Sequence, residues 1–480
     1  MLAVLTGAAL MQGPSFVAHT ASPPPALTLS PRPDIVLIIT DDQRYDTFQV
    51  MPHVQRLLID GGMQLSQAIT SNPLCCPSRA TILTGRYSHT TGVYFNSGSH
   101  GGWHAFRPSE SSTIATALDA VGYRTALFGK YLNGYGGSRV AVPPGWDEWL
   151  AFTSGNGYYD YDMFDGRRRH DFGSGPGDYS TDVIAGRAVS FIRGTSAQSP
   201  LFMVVAPFAP HNPATPAPRH AGAFSGVPVD FGPAVNERDV SDKPRFARRR
   251  LLDLGPLAER QRRRWESLLA VDDMVSRIVT ALRDTGRASN TLVIYVSDNG
   301  NMVGEHRLRQ KMVPYEESIR VPMAVRFPGR VPTGAVSRAL VSNVDIAPTI
   351  LDFAGASLPT EGVSMRRLIT GTSSSIRRSV LLEHLRASSH VPTYCGVRKK
   401  RYTFVRYGAG EEELYDLLRD PYQLRNVARL RPGKAGNLRS LTRSLCRPRP
   451  PTFSWSRRPS PATVDGVQGA RPLGIRTRKR

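Results

Sequence analysis

The sequence predicts a layered α/β domain on a mostly parallel central sheet, followed by a small α+β unit with an antiparallel sheet. Three observations carry this expectation. Four apolar runs, at 34–40, 124–128, 201–206 and 291–297, show no polar alternation, the pattern of strands covered on both faces of a parallel sheet. Amphipathic helical stretches fall between them, which is the alternation of layered α/β domains. After about residue 377 the texture changes to short strand-like runs broken by turn residues.

Taken in chain order, residues 1–21 are mildly apolar and rich in small residues, then give way to the proline-rich 22–26. This resembles the apolar region of a signal peptide and a linker, without the usual basic start, so 1–32 reads as a leader. Asp34–Thr40 is the first buried-type strand and ends in Asp41-Asp42. Ser112–Val121 reads as a helix stopped by Gly122, and Arg124–Phe128 as a strand ending at Gly129-Lys130. Leu201–Ala206 leads into Pro210-His211-Asn212-Pro213. Leu257–Arg283 is a long amphipathic helix, with Arg262-Arg263-Arg264 read as its solvated start. Thr291–Ser297 ends in Asp298-Asn299-Gly300, and Asp345–Leu351 looks like a strand-to-helix entry. These elements make one domain, 33–376.

Residues 377–430 form the second unit, with strands expected at 380–383, 393–397, 402–407 and 413–416 and a helix or turn near Pro421. Residues 431–480 carry thirteen Lys and Arg against Asp465 alone, so +12 of the net +22 sits in this stretch. It reads as a basic, disordered tail. No nucleic-acid-binding motif stands out, and no nucleic-acid partner is expected. No apolar run after the leader is long enough to span a membrane. The four cysteines are too few for a disulfide scaffold, and a Cys395–Cys446 pair requires an oxidising compartment. The stretches 92–107 and 149–178 read as loops that shape a pocket.

Ligands of open α/β sheets bind beyond the carboxyl ends of strands, and here each such end carries polar groups. Asp41-Asp42 and Asp298-Asn299, brought together, would suit a hard cation such as Ca²⁺ or Mg²⁺. Each pair alone reads equally as a turn or cap. Arg79, Lys130 and Lys311 supply fixed positive charge for an anion. A helix starting near Pro77 would aim its positive end at that anion. His211 is a candidate proton donor. His89 is a further candidate for the site, with a surface role as the alternative.

The run Leu74-Cys75-Cys76-Pro77-Ser78-Arg79 with Leu83-Thr84-Gly85-Arg86 resembles the signature of type I, formylglycine-dependent sulfatases. Thr40-Asp41-Asp42-Gln43, Gly129-Lys130-Tyr131-Leu132-Asn133, Ala209–Pro213, Ser297–Gly300, Lys311…Tyr315-Glu316…Ile319–Pro322 and Leu414–Leu417 match further blocks in the family's order. The motifs are most similar to the N-acetylglucosamine-6-sulfatase and heparan 6-O-endosulfatase branch. The resemblance covers roughly 34–428.

It implies an alkaline-phosphatase-like sandwich and hydrolysis of sulfate esters of a sugar or aryl alcohol. It implies that a formylglycine-generating enzyme oxidises Cys75 to formylglycine, whose hydrate attacks sulfur. It further implies Ca²⁺, in preference to Mg²⁺, on Asp41, Asp42, Asp298, Asn299 and residue 75. Arg79 would hold the hydrate. Lys130, His211 and Lys311 would contact the sulfate, and His211 or Lys311 would protonate the leaving oxygen. Asn133 and His89 are expected near the substrate. Leu132 stands where many members have a histidine, so the base for expelling sulfate is unassigned. The expected location is secreted or cell-envelope, or cytoplasmic if the leader is not a signal. Two other functions fit the same residues: a phosphodiester, phosphomonoester or phosphonate hydrolase, and a non-catalytic binder of sulfated glycans.

Overall fold

Every residue of the first strand, β1 (Asp34–Thr40), is buried, and its side chains divide between two cores. Ile35, Leu37 and Ile39 enter one core, Val36 and Ile38 the other. Period-2 geometry on a strand with helices on both faces demands this unbroken apolar run. The computed structural model describes residues 32–136, 141–153, 157–386 and 390–456. The expected leader, apart from residue 32, and the end of the expected tail, 457–480, lie outside the described residues.

The following strands are β2 (Met63–Ile69), β3 (Arg124–Gly129), β4 (Glu148–Phe152), β5 (Tyr161–Asp165), β6 (Arg168–Phe172), β7 (Leu201–Ala206) and β8 (Thr291–Ser297). Then come β9 (Met302–Val303), β10 (Arg309–Gln310), β11 (Arg320–Val321), β12 (Met323–Arg326) and β13 (Ala335–Ser342). The centre of the main sheet runs β8-β1-β7-β3-β4, all parallel. Antiparallel β5 and β6 extend one side, and β12 and β2 the other, with β11 and β13 also paired to β2. β9 and β10 form a short hairpin of their own.

Helices cover both faces. On one lie α1 (Cys75–Thr84), α2 (Ile114–Asp119) and, later in the chain, Ile346–Ala354. On the other lie α3 (Ser180–Gly194) and α4 (Leu254–Asp284), the latter capped by Asp253. With Ile346–Ala354 as α5, the domain is a three-layer α/β/α sandwich, as the sequence predicts. β14 (Val380–His384), β15 (Tyr394–Arg398), β16 (Tyr402–Tyr407) and β17 (Glu412–Asp416) form a separate antiparallel sheet in sequential order.

The signature helix α1 begins at Cys75, two residues before Pro77, which sits in its first turn as expected. Three expectations are corrected. Asp345–Leu351 holds only the helical part of its turn, since the strand before it ends at Ser342. The 149–178 stretch is not simply a loop, for it contains most of β4 and all of β5 and β6. The largest correction concerns the basic tail. Residues Pro432–Leu445 form α6, whose Ala435 and Leu438 pack on Val397, Phe404 and Leu414. Cys446 then forms a disulfide with Cys395 on β15. The apolar stripe of this helix is narrow, and the arginines around it masked it in the average composition. Among the described residues, no helix is long and apolar enough to cross a membrane.

The disulfide closes a separation of 51 residues. Replacing Cys395 and Cys446 with serine is expected to lower unfolding free energy by about 2–4 kcal/mol in chemical denaturation. An unchanged midpoint would mean the bond contributes nothing to the fold.

Candidate active site

Parallel pairing of β1 with β8 places Thr40 opposite Ser297. The next residues on each chain, Asp41-Asp42 and Asp298-Asn299, are therefore brought together although 256 positions apart. The Asp42 amide donates to Asp298 Oδ1 at 3.3 Å, and Asn299 Nδ2 donates to Asp42 Oδ1 at 2.7 Å. Asp42 has φ +65°, a left-handed conformation that costs energy outside glycine. The packing around it holds it there.

Helix α1 brings Cys75 to the same place. All ten of its residues are buried, and Cys75 is its first. Cys75 Sγ lies 3.5 Å from Asp41 Oδ1 and accepts from Lys311 Nζ at 2.9 Å. One turn on, Arg79 Nε donates to Asp298 Oδ2 at 2.8 Å, and Nη1 to the Lys130 carbonyl at 2.7 Å. Lys130 follows Gly129, where an added Cβ would lie 2.1 Å from the Ala206 carbonyl oxygen. That close approach lets β3 deliver Lys130 to its ion pair with Asp41. Lys311 reaches Asp42 from a turn whose flanking residues, Gln310 and Met312, both have positive φ. The Met312 amide ties that turn to Pro73 at 3.1 Å, just before α1.

The result is three buried carboxylates, Asp41, Asp42 and Asp298, facing three buried cations, Arg79, Lys130 and Lys311. Burial alone would raise the Asp41 carboxyl, but Lys130, then His211, Lys311 and Arg79, hold it well below the usual range. Asp42 is also held low, against burial, chiefly by Lys311. Asp298 goes the other way, raised by burial and by Asp41 beside it. Burial, then Asp41, pushes the Cys75 thiol up to about 11. At neutral pH Cys75 is thus a thiol, not a thiolate nucleophile.

Asp41, Asp42, Cys75 and His211 offer ligand atoms all within 4.8 Å of one another. Asn299 Oδ1 is buried without a hydrogen-bond partner. Together with three carboxylates it makes an oxygen-rich donor set that fits a hard divalent cation. His211 sits at the rim, 27 % exposed, with Nε2 3.8 Å from Asp42 Oδ2. Its Nδ1 lies 2.8 Å from the Asn212 carbonyl oxygen, so Nδ1 carries a proton and Nε2 faces the carboxylates.

Two expected site residues make no hydrogen bond or ion pair to these six charges among the described residues. Asn133 packs against Cys76, its amide donating to Cys76 Sγ at 3.1 Å. His89 has its Nδ1 3.0 Å from Glu383 and its Nε2 3.6 Å from Glu361. Leu132, whose side chain has no proton to exchange, is buried in the core.

Two neighbours were not foreseen. Asn301 donates to Asp42 Oδ2 at 3.2 Å, from two positions beyond Asn299. Arg264, expected to be solvated, is buried and reaches Asn212. The signal was present: Leu257, Gln261, Arg264, Leu268 and Val271 follow one buried helical stripe.

The sequence matches the family model "Sulfatase" over residues 33–356. A model for the C-terminal region of N-sulphoglucosamine sulphohydrolase matches 304–445. The human N-acetylglucosamine-6-sulfatase is 37 % identical over 74 % of this chain and 67 % of its own length. An extracellular sulfatase SULF-1 homolog of Drosophila melanogaster is 35 % identical over 72 % of this chain. The chain spans about a third of that relative's length, and about half of its Caenorhabditis elegans counterpart. A solved protein in complex with its substrate D-glucosamine-2-N,6-O-disulfate superposes with a TM-score of 0.74 at 24 % identity, covering 86 % of this chain and 97 % of that one. A phosphonate monoester hydrolase of Agrobacterium radiobacter gives 0.68 at 20 %, covering 86 % and 96 %. At these identities the structures speak to the fold alone.

Burial works against the His89 charge, but Glu361 and Glu383 outweigh it and raise the ring to about 9. Its folded value is above its unfolded one of 6.5. The stabilisation is therefore complete below about pH 6.5 and lost as pH rises through 9. Denaturation midpoints should fall more steeply across that window in wild type than in His89→Gln. Equal slopes would contradict the pairing.

Proposed function

The chain belongs to the sulfatase family, and from that premise we propose that it hydrolyses a sulfate ester of a sulfated sugar. N-acetylglucosamine 6-sulfate, free or in a glycosaminoglycan, is the substrate class, and Cys75, converted to formylglycine, is the nucleophilic position. One observation carries the reading: Cys75 opens a buried helix between the Lys311 ammonium and the Asp41 carboxylate, beside an oxygen-rich cation site. A thiol there is a poor nucleophile, whereas the hydrate of an aldehyde is an oxygen nucleophile.

Asp41, Asp42, Asp298 and the Asn299 carbonyl would hold Ca²⁺. When bound, the ion supplies Lewis acidity and positive charge for the attacking oxygen and the sulfate. The chain's own residues do the rest. With a cation neutralising the carboxylates, Lys130, Lys311 and Arg79 are left to balance an anion instead. Arg79, fixed between Asp298 and the Lys130 carbonyl, orients residue 75. Lys130, paired with Asp41, and Lys311, paired with Asp42, would contact the sulfate. His211, when its ring carries a second proton on Nε2 at the rim, would protonate the departing sugar oxygen, and Lys311 is the other donor within reach of residue 75.

Cys75 is 1 % exposed, so a formylglycine-generating enzyme must act before folding buries it. The Cys395–Cys446 disulfide and the extracellular relatives support an oxidising, secreted or cell-envelope location.

The protein should hydrolyse 4-nitrophenyl sulfate and N-acetylglucosamine 6-sulfate with Ca²⁺ and lose activity in a chelator. Lys130→Ala or Lys311→Ala should lower kcat/KM by about 10²–10³. Faster turnover of 4-nitrophenyl phosphate than of the sulfate would overturn the sulfatase reading in favour of a phosphohydrolase.

A further inference from the structure

Arg264 is a buried charge for which the chemistry above has no use. It lies on the buried stripe of α4 and is 4 % exposed. Among the described residues no carboxylate pairs with it. Its Nη2 reaches Asn212 Oδ1 at 3.4 Å, and its Nε has no hydrogen-bond partner. Buried guanidinium groups are ordinarily paired, because an unpaired one carries its full desolvation cost. Burial pushes this arginine down to about 10, with Asp42 opposing only in part.

Its place is specific. Asn212, the group it touches, adjoins His211, and Tyr158 donates to the His211 carbonyl at 2.7 Å. Asn212 also lines a cleft of about 440 Å³, together with Pro213, Pro256, Glu259, Arg260 and Arg263. Glu259, the acid of this cleft, is taken by Arg262 and Arg263. Arg260 lies one helical turn before Arg264 and has no carboxylate partner among the described residues. Two arginines on one face of α4 thus lead from the cleft toward His211.

We propose that Arg264, with Arg260, forms a second anion position beside the sulfate pocket, which takes an acidic group of the substrate other than the ester being cleaved. This rests on the sulfatase reading and narrows its substrate class. The group is an N-sulfate on the same glucosamine or a uronate carboxylate on the adjoining sugar, since a guanidinium fork binds either through paired hydrogen bonds.

The test compares kcat and KM of wild type, Arg264→Gln and Arg264→Lys on three substrates. These are N-acetylglucosamine 6-sulfate, glucosamine 2-N,6-O-disulfate and a disaccharide of N-acetylglucosamine 6-sulfate with a uronate. In Arg264→Gln, kcat/KM for one doubly anionic substrate should fall about tenfold to a hundredfold relative to N-acetylglucosamine 6-sulfate, through KM. Arg264→Lys should recover part of that ratio, and the affected substrate identifies the acidic group. Removing an uncompensated buried charge should not lower the thermal midpoint. A parallel fall on all three substrates, or a lowered midpoint with unchanged ratios, would make Arg264 structural and overturn the proposal. A wild type that cleaves 4-nitrophenyl sulfate but none of the three would instead sink the glucosamine 6-sulfate reading, and the second anion position with it.

Discussion

Six charges are buried together beyond the ends of β1 and β8, and the site exists because they neutralise one another. No carboxylate in the group would remain ionised alone in so dry a place, and no ammonium would remain charged. Five elements supply them: the end of β1 gives Asp41 and Asp42, and the ends of β3 and β8, helix α1 and the turn after β10 give one each. The strand register sets the acids, because Thr40 pairs with Ser297. Everything else is held at the distance that keeps this balance, including the strained Asp42 and the glycine that admits Lys130.

A balanced cluster of this kind is poised for an anion. A divalent cation on the carboxylates would leave an excess of positive charge, which an anionic group such as the proposed sulfate ester would offset in part. The same burial that makes the charges cooperate silences Cys75 as a thiol. Charge balance and nucleophile chemistry therefore point the same way: the position needs an oxygen nucleophile, and the cluster needs an anionic substrate. Arg264 extends the logic outward, as a cation that the protein itself leaves unbalanced.

Much of this was legible in the sequence because buried parallel strands are written as continuous apolar runs, and their ends as charged ones. The strands 34–40, 201–206 and 291–297 fall where their apolar runs fall. Cys75, Arg79, Lys130, His211 and Lys311 converge because each follows a strand end or a helix start. What escaped was information that composition averages away. The α6 stripe of Ala435 and Leu438 is diluted by arginines. Arg264 reads as surface until its place on the helical stripe is counted. β13, with its mixed Arg and Ser residues, lacks the apolar signal because one half of it is open to solvent. His89 looked like part of the site because it follows the signature closely, but short sequence separation did not bring it to the cluster, and Glu361 and Glu383 engage it instead.

The account turns on residue 75. Mass spectrometry of the peptide spanning Leu74–Arg86, from protein made in cells that contain a formylglycine-generating enzyme, tests it most directly. The account predicts that the thiol mass at Cys75 gives way to the aldehyde, with Cys76 unchanged. A Cys75 that remains entirely an alkylatable thiol in natively produced protein would contradict it.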